Sequence, residues 1–238
     1  MVRDDISGLD IFQAFVAGKN RVVSFREELN RINVFPVNDS DTGNNLSATL
    51  TYITDTVTPE KSPNGMLKMI ADASLNGARG NSGIIFAQFI NGLAEEMSEN
   101  KFQSESFPDI VNKAVPYAYR AVSKPAEGTI LTVIKEWAES LKMLKELSKD
   151  FKELFVLSID QAKISLEKTP EKLKVLKDAK VVDAGAQGFI HFLEGIGEFI
   201  TGKEKALAEK NNDYYLHEED VIVNNEIVTH YCCEALLT

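Results

Sequence analysis

Apolar residues recur at every third or fourth position through most of this chain, the spacing of helices with one buried face. Ile11, Phe12, Phe15, Val22, Val23 and Leu29 predict an opening helix that ends before Pro36. Leu46, Leu50, Ile53 and Val57 predict a second, closed by Pro59 and Pro63, and Met66 to Leu75 a short third. Ile85, Phe86, Phe89, Ile90, Leu93 and Met97 form a strong stripe, followed by a polar loop over 98–108 and a helix from Ile110 to Val122. Ile130, Val133, Ile134, Trp137, Leu141 and Leu144 mark a long helix, and Phe151 to Leu166 another, closed by Thr169-Pro170. Phe189, Phe192, Leu193, Ile196 and Phe199 mark the last. The expected fold class is all-α.

The texture changes after Gly202. Residues 203–220 are mixed in charge and weakly periodic, as in a linker. Val221, Ile222, Val223, Ile227, Val228, Tyr231 and Cys232 are β-branched, aromatic or small, and predict one or two strands. A lone strand pair needs more sheet to be stable. The expected organisation is therefore a helical domain over 1–202, a linker over 203–220, and over 221–238 the start of a second domain that the sequence cuts short, the alternative being a tail that folds back on the helices.

Four polar turns interrupt the apolar stripes, each just before a helix. They are Thr42-Gly43-Asn44, Gly80-Asn81-Ser82-Gly83, Glu127-Gly128-Thr129 and Asp183-Ala184-Gly185-Ala186. Each joins a small residue, which lets a ligand approach the backbone, to a side chain able to cap a helix. If the helices pack antiparallel, alternate N-termini share one end, where free N–H groups and helix dipoles favour an anion. Ahead of the first turn runs Asn33-Val34-Phe35-Pro36-Val37-Asn38-Asp39-Ser40-Asp41, which places two carboxylates one residue apart in a loop. Such a pair supplies hard oxygen ligands for a cation of the Mg²⁺ kind. A metal and an anion held side by side meet the basic requirement for handling a nucleoside triphosphate.

Composition narrows the partners. The 238 residues carry a net charge of -10, which argues against a nucleic-acid surface and leads us to expect a divalent cation beside any anionic nucleotide. A hydrophobic content of 44% suffices for a sizeable core. No run approaches the ~20 apolar residues of a transmembrane segment, and the early acids Asp4, Asp5 and Asp10 do not fit a signal peptide. The only cysteines, Cys232 and Cys233, are adjacent and fit a reducing, cytoplasmic setting. There is no Walker-type phosphate loop and no protein-kinase signature. An EF-hand numbered from Asp39 fails, because Gly43 falls at its fifth position and Leu50 at its twelfth. His191, His217 and His230 do not cluster in sequence.

Four blocks in order resemble the nucleotide-binding domain of the dihydroxyacetone kinase L-subunit (DhaL-like) family, and most closely its version at the N-terminus of bacterial fatty acid kinases. They are Asn33-Val34-Phe35-Pro36-Val37 with Asp39-x-Asp41-Thr42-Gly43-x-Asn45, Ala78-Arg79-Gly80-Asn81-Ser82-Gly83, Glu127-Gly128-Thr129-Ile130-Leu131-Thr132, and Val182-Asp183-Ala184-Gly185. His230-Tyr231-Cys232-Cys233-Glu234 resembles the opening strand of those kinases' middle domain. Three positions depart from the family pattern, Asn38 and Ser40 around the acidic pair and Ala186 after Gly185.

The resemblance implies an antiparallel eight-helix barrel with a Mg²⁺-nucleotide at one rim. Asp39 and Asp41 would ligate two Mg²⁺ ions, with Asn33 a weaker ligand. Thr42, Asn45, Gly80, Asn81, Ser82, Thr129, Asp183 and Gly185 would surround ATP or ADP. Arg79 would add positive charge at the transferring phosphoryl, and so joins Asp39 and Asp41 as a catalytic candidate. The implied reaction is transfer of the γ-phosphoryl group of ATP to the carboxylate of a fatty acid held by a DegV-like carrier protein. Two alternatives stay open: a kinase subunit for a small hydroxyketone, and a non-catalytic nucleotide-binding module. The oligomeric state is open too, a homodimer included.

Overall fold

The structure is a computed structural model that describes residues 6–97, 105–148 and 150–202. These belong to one compact unit, Met1–Gly202. The expected linker over 203–220 and β segment over 221–238 lie outside the described residues. Among the described residues eight helices have fourteen residues or more: α1 (Gly8–Ser24), α3 (Thr42–Thr56), α4 (Pro63–Gly77), α5 (Gly80–Glu96), α6 (Phe107–Arg120), α7 (Ile130–Lys145), α8 (Phe151–Glu167) and α11 (Ala184–Thr201). Three short ones lie between them: α2 (Arg26–Arg31), α9 (Thr169–Lys172) and α10 (Lys174–Ala179).

The long helices close a ring. In chain order each of α3 to α8 packs on the next, α8 packs on α11, α11 on α1, and α1 back on α3. This is the all-α ring of eight long helices that the sequence led us to expect. Its core holds edge-on aromatic clusters, Phe15 with Phe86 and Phe192, and Trp137 with Phe89 and Phe189. The Trp137 indole N–H donates to Ser158 Oγ at 2.9 Å, which settles the one polar atom of that ring inside an apolar interior.

Three local expectations change. The opening helix is broken at Phe25, whose backbone leaves the helical region and whose ring stacks on His191 with centroids 4.0 Å apart. Pro63 starts α4 instead of ending α3, because a first-turn position needs no N–H; Ser62 caps it by accepting from Gly65 N. At Thr169-Pro170 α8 does end, at Glu167, but for the same reason Pro170 sits in the first turn of a further helix, α9, and α10 follows where no element is expected.

The strand of contacts along α1 and α11 sets the position of the acidic loop. Arg21 binds Glu194 and Glu198, and Phe25, just past the end of α1, stacks on His191, earlier on α11. Rising numbers on one helix meet falling numbers on the other, so the two run antiparallel. The end of α1 therefore lies beside the start of α11, and α2 with the loop after it is delivered to that rim. Glu194 also takes Lys163 of α8 at 2.6 Å. Burial pushes its carboxyl up, but bonds from His191, Lys163 and Arg21 outweigh burial and hold it well below the usual range.

Candidate functional site

The four polar turns meet at one rim of the barrel. A methyl group at Gly80 would lie 2.9 Å from Asn45 Cγ, and one at Gly83 would lie 2.6 Å from Thr49 Oγ1, so α3 and α5 start side by side and run parallel. A methyl at Gly185 would lie 2.7 Å from Ser82 Oγ and 3.5 Å from Ile130 Cβ, which joins the start of α11 to those of α5 and α7. Asp183 closes the group. Its Oδ1 accepts from Ala186 N of its own helix at 2.8 Å and from Ile130 N of α7 at 2.9 Å.

On the acidic loop, Asp39 is exposed and Asp41 half-buried. Ser40 between them has a φ of 54°, a left-handed conformation that bends the chain between the two carboxylates. Asn33 is 2% exposed and its Nδ2 donates to Asp39 Oδ1 at 2.7 Å. Asp41 precedes the first turn of α3 yet makes no capping bond to it. Instead Asn30 of α2 accepts from Asn44 N at 3.1 Å. Thr42 is buried in the same first turn, and Asn45 lies against Gly80.

On the facing turn, Arg79 is exposed, and its guanidinium has no hydrogen-bond or ion-pair partner among the described residues. Its backbone N–H donates to Thr49 Oγ1 at 3.0 Å, which ties the turn to the middle of α3. Gly80 follows with a φ of 62°, which an L side chain adopts only with strain. No side chain caps α5, so the N–H groups of its first turn, at Gly80, Asn81 and Ser82, face the rim without a capping acceptor. At the third turn, Thr129 is buried and its hydroxyl donates to Ala126 O. Glu127 accepts there from Thr132 Oγ1 and from Tyr119 OH, and Thr132 Oγ1 in turn accepts from Gly128 N. The Thr132 bond is the main reason that the Glu127 carboxyl sits below its usual range.

Asp183 carries a pH signature. Its burial raises its pKa from 3.8 to about 6, against the pull of the two N–H donors. An acid whose folded value is raised contributes most to stability below its unfolded value, and loses that contribution as pH rises through the folded one. Asp183→Asn, which keeps an acceptor oxygen without the charge, is expected to gain stability over wild type at pH 8, on the order of 1–3 kcal/mol, and to gain nothing at pH 4. Thermal unfolding across that pH range measures it. If Asp183 also serves a ligand, the variant will bind that ligand less tightly while unfolding at a higher temperature.

Asn33, Asp39, Asp41, Thr42, Asn45, Arg79, Gly80, Asn81, Ser82, Thr129, Asp183 and Gly185 thus all fall on the four turns and the loop before them. The chain matches the DAK2 domain family over residues 36–198. It belongs to that family. It is 34% identical over 241 aligned positions to uncharacterized proteins of Staphylococcus aureus strains MRSA252 and USA300, which cover 98% of it. The chain spans 44% of the length of those relatives. Its fold is similar to that of the dihydroxyacetone kinase from C. freundii, solved in complex with AMP-PNP and Mg²⁺, with a TM-score of 0.61 over 83% of this chain and 36% of that one, at 15% identity. Among the described residues no helix is long and apolar enough to cross a membrane.

Sequence reasoning passed over three parts of this DAK2 rim. Asn30 lies in the polar run of α2 and has no motif around it. Thr49 looks like an ordinary helix residue, although its placement one turn after Asn45 offers a signal, since its hydroxyl reaches Asn45 O at 2.8 Å. The segment from α9 to α10 follows the expected stop of α8, where the sequence pattern marks no element. It packs on the third turn, where a methyl at Gly128 would lie 2.8 Å from Thr169 O, and Thr169 Oγ1 accepts from Asp183 N at 3.2 Å.

Proposed function

We propose that this DAK2 domain binds ATP with Mg²⁺ at the rim formed by α3, α5, α7 and α11, and that it is the kinase domain of a fatty acid kinase. The observation that carries the reading is the meeting of one uncapped helix start, three further starts and an acidic loop at a single place. The residues fit the metal. Mg²⁺ is usually held by one or two carboxylates together with phosphate oxygens and water. Asp39 and Asp41 supply such a pair, and the cation, two ions by the family resemblance, would neutralise the phosphate charge. Asn33, with its amide nitrogen on Asp39, orients that carboxylate. The N–H groups of the α5 turn receive phosphate oxygens, and the guanidinium of Arg79 adds charge where the transferring group sits.

The chemistry asks little of the side chains. An oxygen of the acceptor carboxylate bonds to the γ-phosphorus, the bond from that phosphorus to the leaving oxygen breaks, and ADP departs with the electron pair. A fatty-acid carboxylate is already ionised at neutral pH and needs no general base. His191, the one histidine among the described residues, is engaged elsewhere, with Nε2 near Gln187 and Nδ1 near Glu194. Catalysis then rests on positioning and charge. The acceptor is a fatty acid presented by a DegV-like carrier protein, which would supply the apolar tunnel and shield the acyl phosphate from water.

The test is ATP consumption by this chain and by a full-length relative, with free fatty acid, with acyl-loaded carrier, and with dihydroxyacetone. We expect the chain to bind nucleotide by itself and to phosphorylate free fatty acid poorly. Rapid acyl-phosphate formation without a carrier would overturn the division of labour. Efficient use of dihydroxyacetone would favour a hydroxyketone kinase, the reading that the structural likeness to dihydroxyacetone kinase supports.

A further inference from the structure

Asp41 stands immediately before the first turn of α3, where Asp ordinarily folds its carboxylate back onto the second or third N–H of the helix. It does not do so. Its backbone, at φ -120° and ψ -5°, is outside the extended region that capping uses, and its side chain makes no cap bond. The N–H that it would take belongs to Asn44, and that group donates to Asn30 Oδ1 at 3.1 Å. Asn30 Nδ2 donates back to Asn44 Oδ1 at 3.2 Å. The two bonds together fix which way the Asn30 amide faces, because the reverse orientation would set a donor against the Asn44 N–H.

We propose that Asn30 is a positioning residue for cation binding: it caps α3 from the neighbouring helix, so that the Asp41 carboxylate stays uncommitted and available to the metal. The inference rests on the reading of Asp39 and Asp41 as the cation pair. Its physical core is a competition. An Asp at the start of a helix with an unsatisfied third N–H is drawn toward that N–H and toward the positive end of the dipole. A carboxylate engaged in that way has less to offer a cation. Asn30 removes the competitor by satisfying the N–H with a neutral oxygen.

The experiment titrates Mg²⁺ against ADP binding by calorimetry, and measures ADP affinity without metal, in wild type, Asp41→Asn, Asn30→Ala, Asn30→Asp and the double variant Asn30→Ala/Asp41→Asn. Asn30→Ala is expected to raise the Mg²⁺ midpoint about tenfold, the scale of a lost supporting bond at a metal ligand. Metal-free ADP affinity should stay within about twofold of wild type, as a helix cap does not touch the nucleotide. Asn30→Asp keeps an acceptor for Asn44 N and should bind Mg²⁺ no more weakly than wild type. In the Asp41→Asn background Asn30→Ala should cost nothing more, since the carboxylate to be kept free is gone.

Additive losses in the double variant, or an equal loss of metal-free binding, would assign Asn30 a merely structural part and overturn the proposal. If Asn30→Ala does not fold, Asn30→Asp decides: a tenfold weaker Mg²⁺ midpoint there overturns the proposal, and an unchanged or tighter one supports it. A wild type whose ADP binding ignores Mg²⁺, or an Asp41→Asn variant that binds Mg²⁺–ADP normally, would instead defeat the underlying assignment of the cation pair, and that failure is read from these two proteins alone.

Discussion

Asp39→Asn and Asp41→Asn are each expected to weaken Mg²⁺-dependent ATP or ADP binding by on the order of 100-fold or more, above the range for residues that only support a metal ligand. Neither should harm the fold. Asp39 is exposed, and the bond it accepts from Asn33 Nδ2 can be kept by the carbonyl oxygen of an Asn side chain. Asp41 gives α3 no cap bond, so no such bond is lost with its charge. Unfolding free energies should stay within about 0.5 kcal/mol of wild type, as for surface changes away from special features. Asp10 offers the converse. It completes the capping box at the start of α1, where its carboxylate accepts from Ser7 N at 2.9 Å. That start lies at the end of α1 away from the rim, so Asp10→Ala should cost about 1 kcal/mol of stability and leave nucleotide binding unchanged. Calorimetric titration beside thermal unfolding separates the two outcomes. Unchanged Mg²⁺–nucleotide affinity in both rim variants would remove the metal assignment.

The four turns were legible in the sequence because each breaks an apolar stripe, and a broken stripe marks a helix boundary whatever packs around it. What the stripes could not show is which boundaries meet. That depends on the antiparallel pairing of α1 with α11 and the parallel starts of α3 and α5, which are contacts between residues far apart in the chain, such as Arg21 with Glu194 and Gly80 with Asn45. Proline was legible only in part, for a physical reason: at Pro63 and Pro170 the same missing N–H that stops one helix suits the first turn of the next, and the sequence pattern shows only the stop. Asn30 and Thr49 escaped because their value lies in hydrogen bonds to a residue of another segment, Asn44 and Arg79. A polar residue on α2 and a threonine in α3 look the same whether that partner exists or not.

Gly43→Ala is expected to be the most damaging single methyl group at the rim. Gly43 is the second residue of α3, and its close approach to α2 leaves no space. A methyl there would fall inside contact distance of Arg26 O, 2.9 Å from Arg26 C and 2.8 Å from Asn30 Oδ1. Two of those atoms are backbone and cannot rotate away. Alanine gains up to about 1 kcal/mol over glycine in a helix interior, but forcing two backbones apart costs about 1–3 kcal/mol or more, so the clash wins. The unfolding temperature should fall by several degrees, at roughly 2–4 °C per kcal/mol for a chain of this size. Gly197→Ala makes the control: its methyl would meet only Ile159 Cδ1, the end of a flexible side chain, at 2.9 Å, so its expected effect is near neutral. Binding should suffer more than stability in Gly43→Ala. The displacement pushes on Asn30 itself, opens the bond to Asn44 N, and exposes Asp41 to the capping competition. Mg²⁺–ADP affinity should therefore drop at temperatures where the protein is still fully folded. A variant that unfolds earlier yet binds normally would mean that α2 can yield without disturbing the acidic loop.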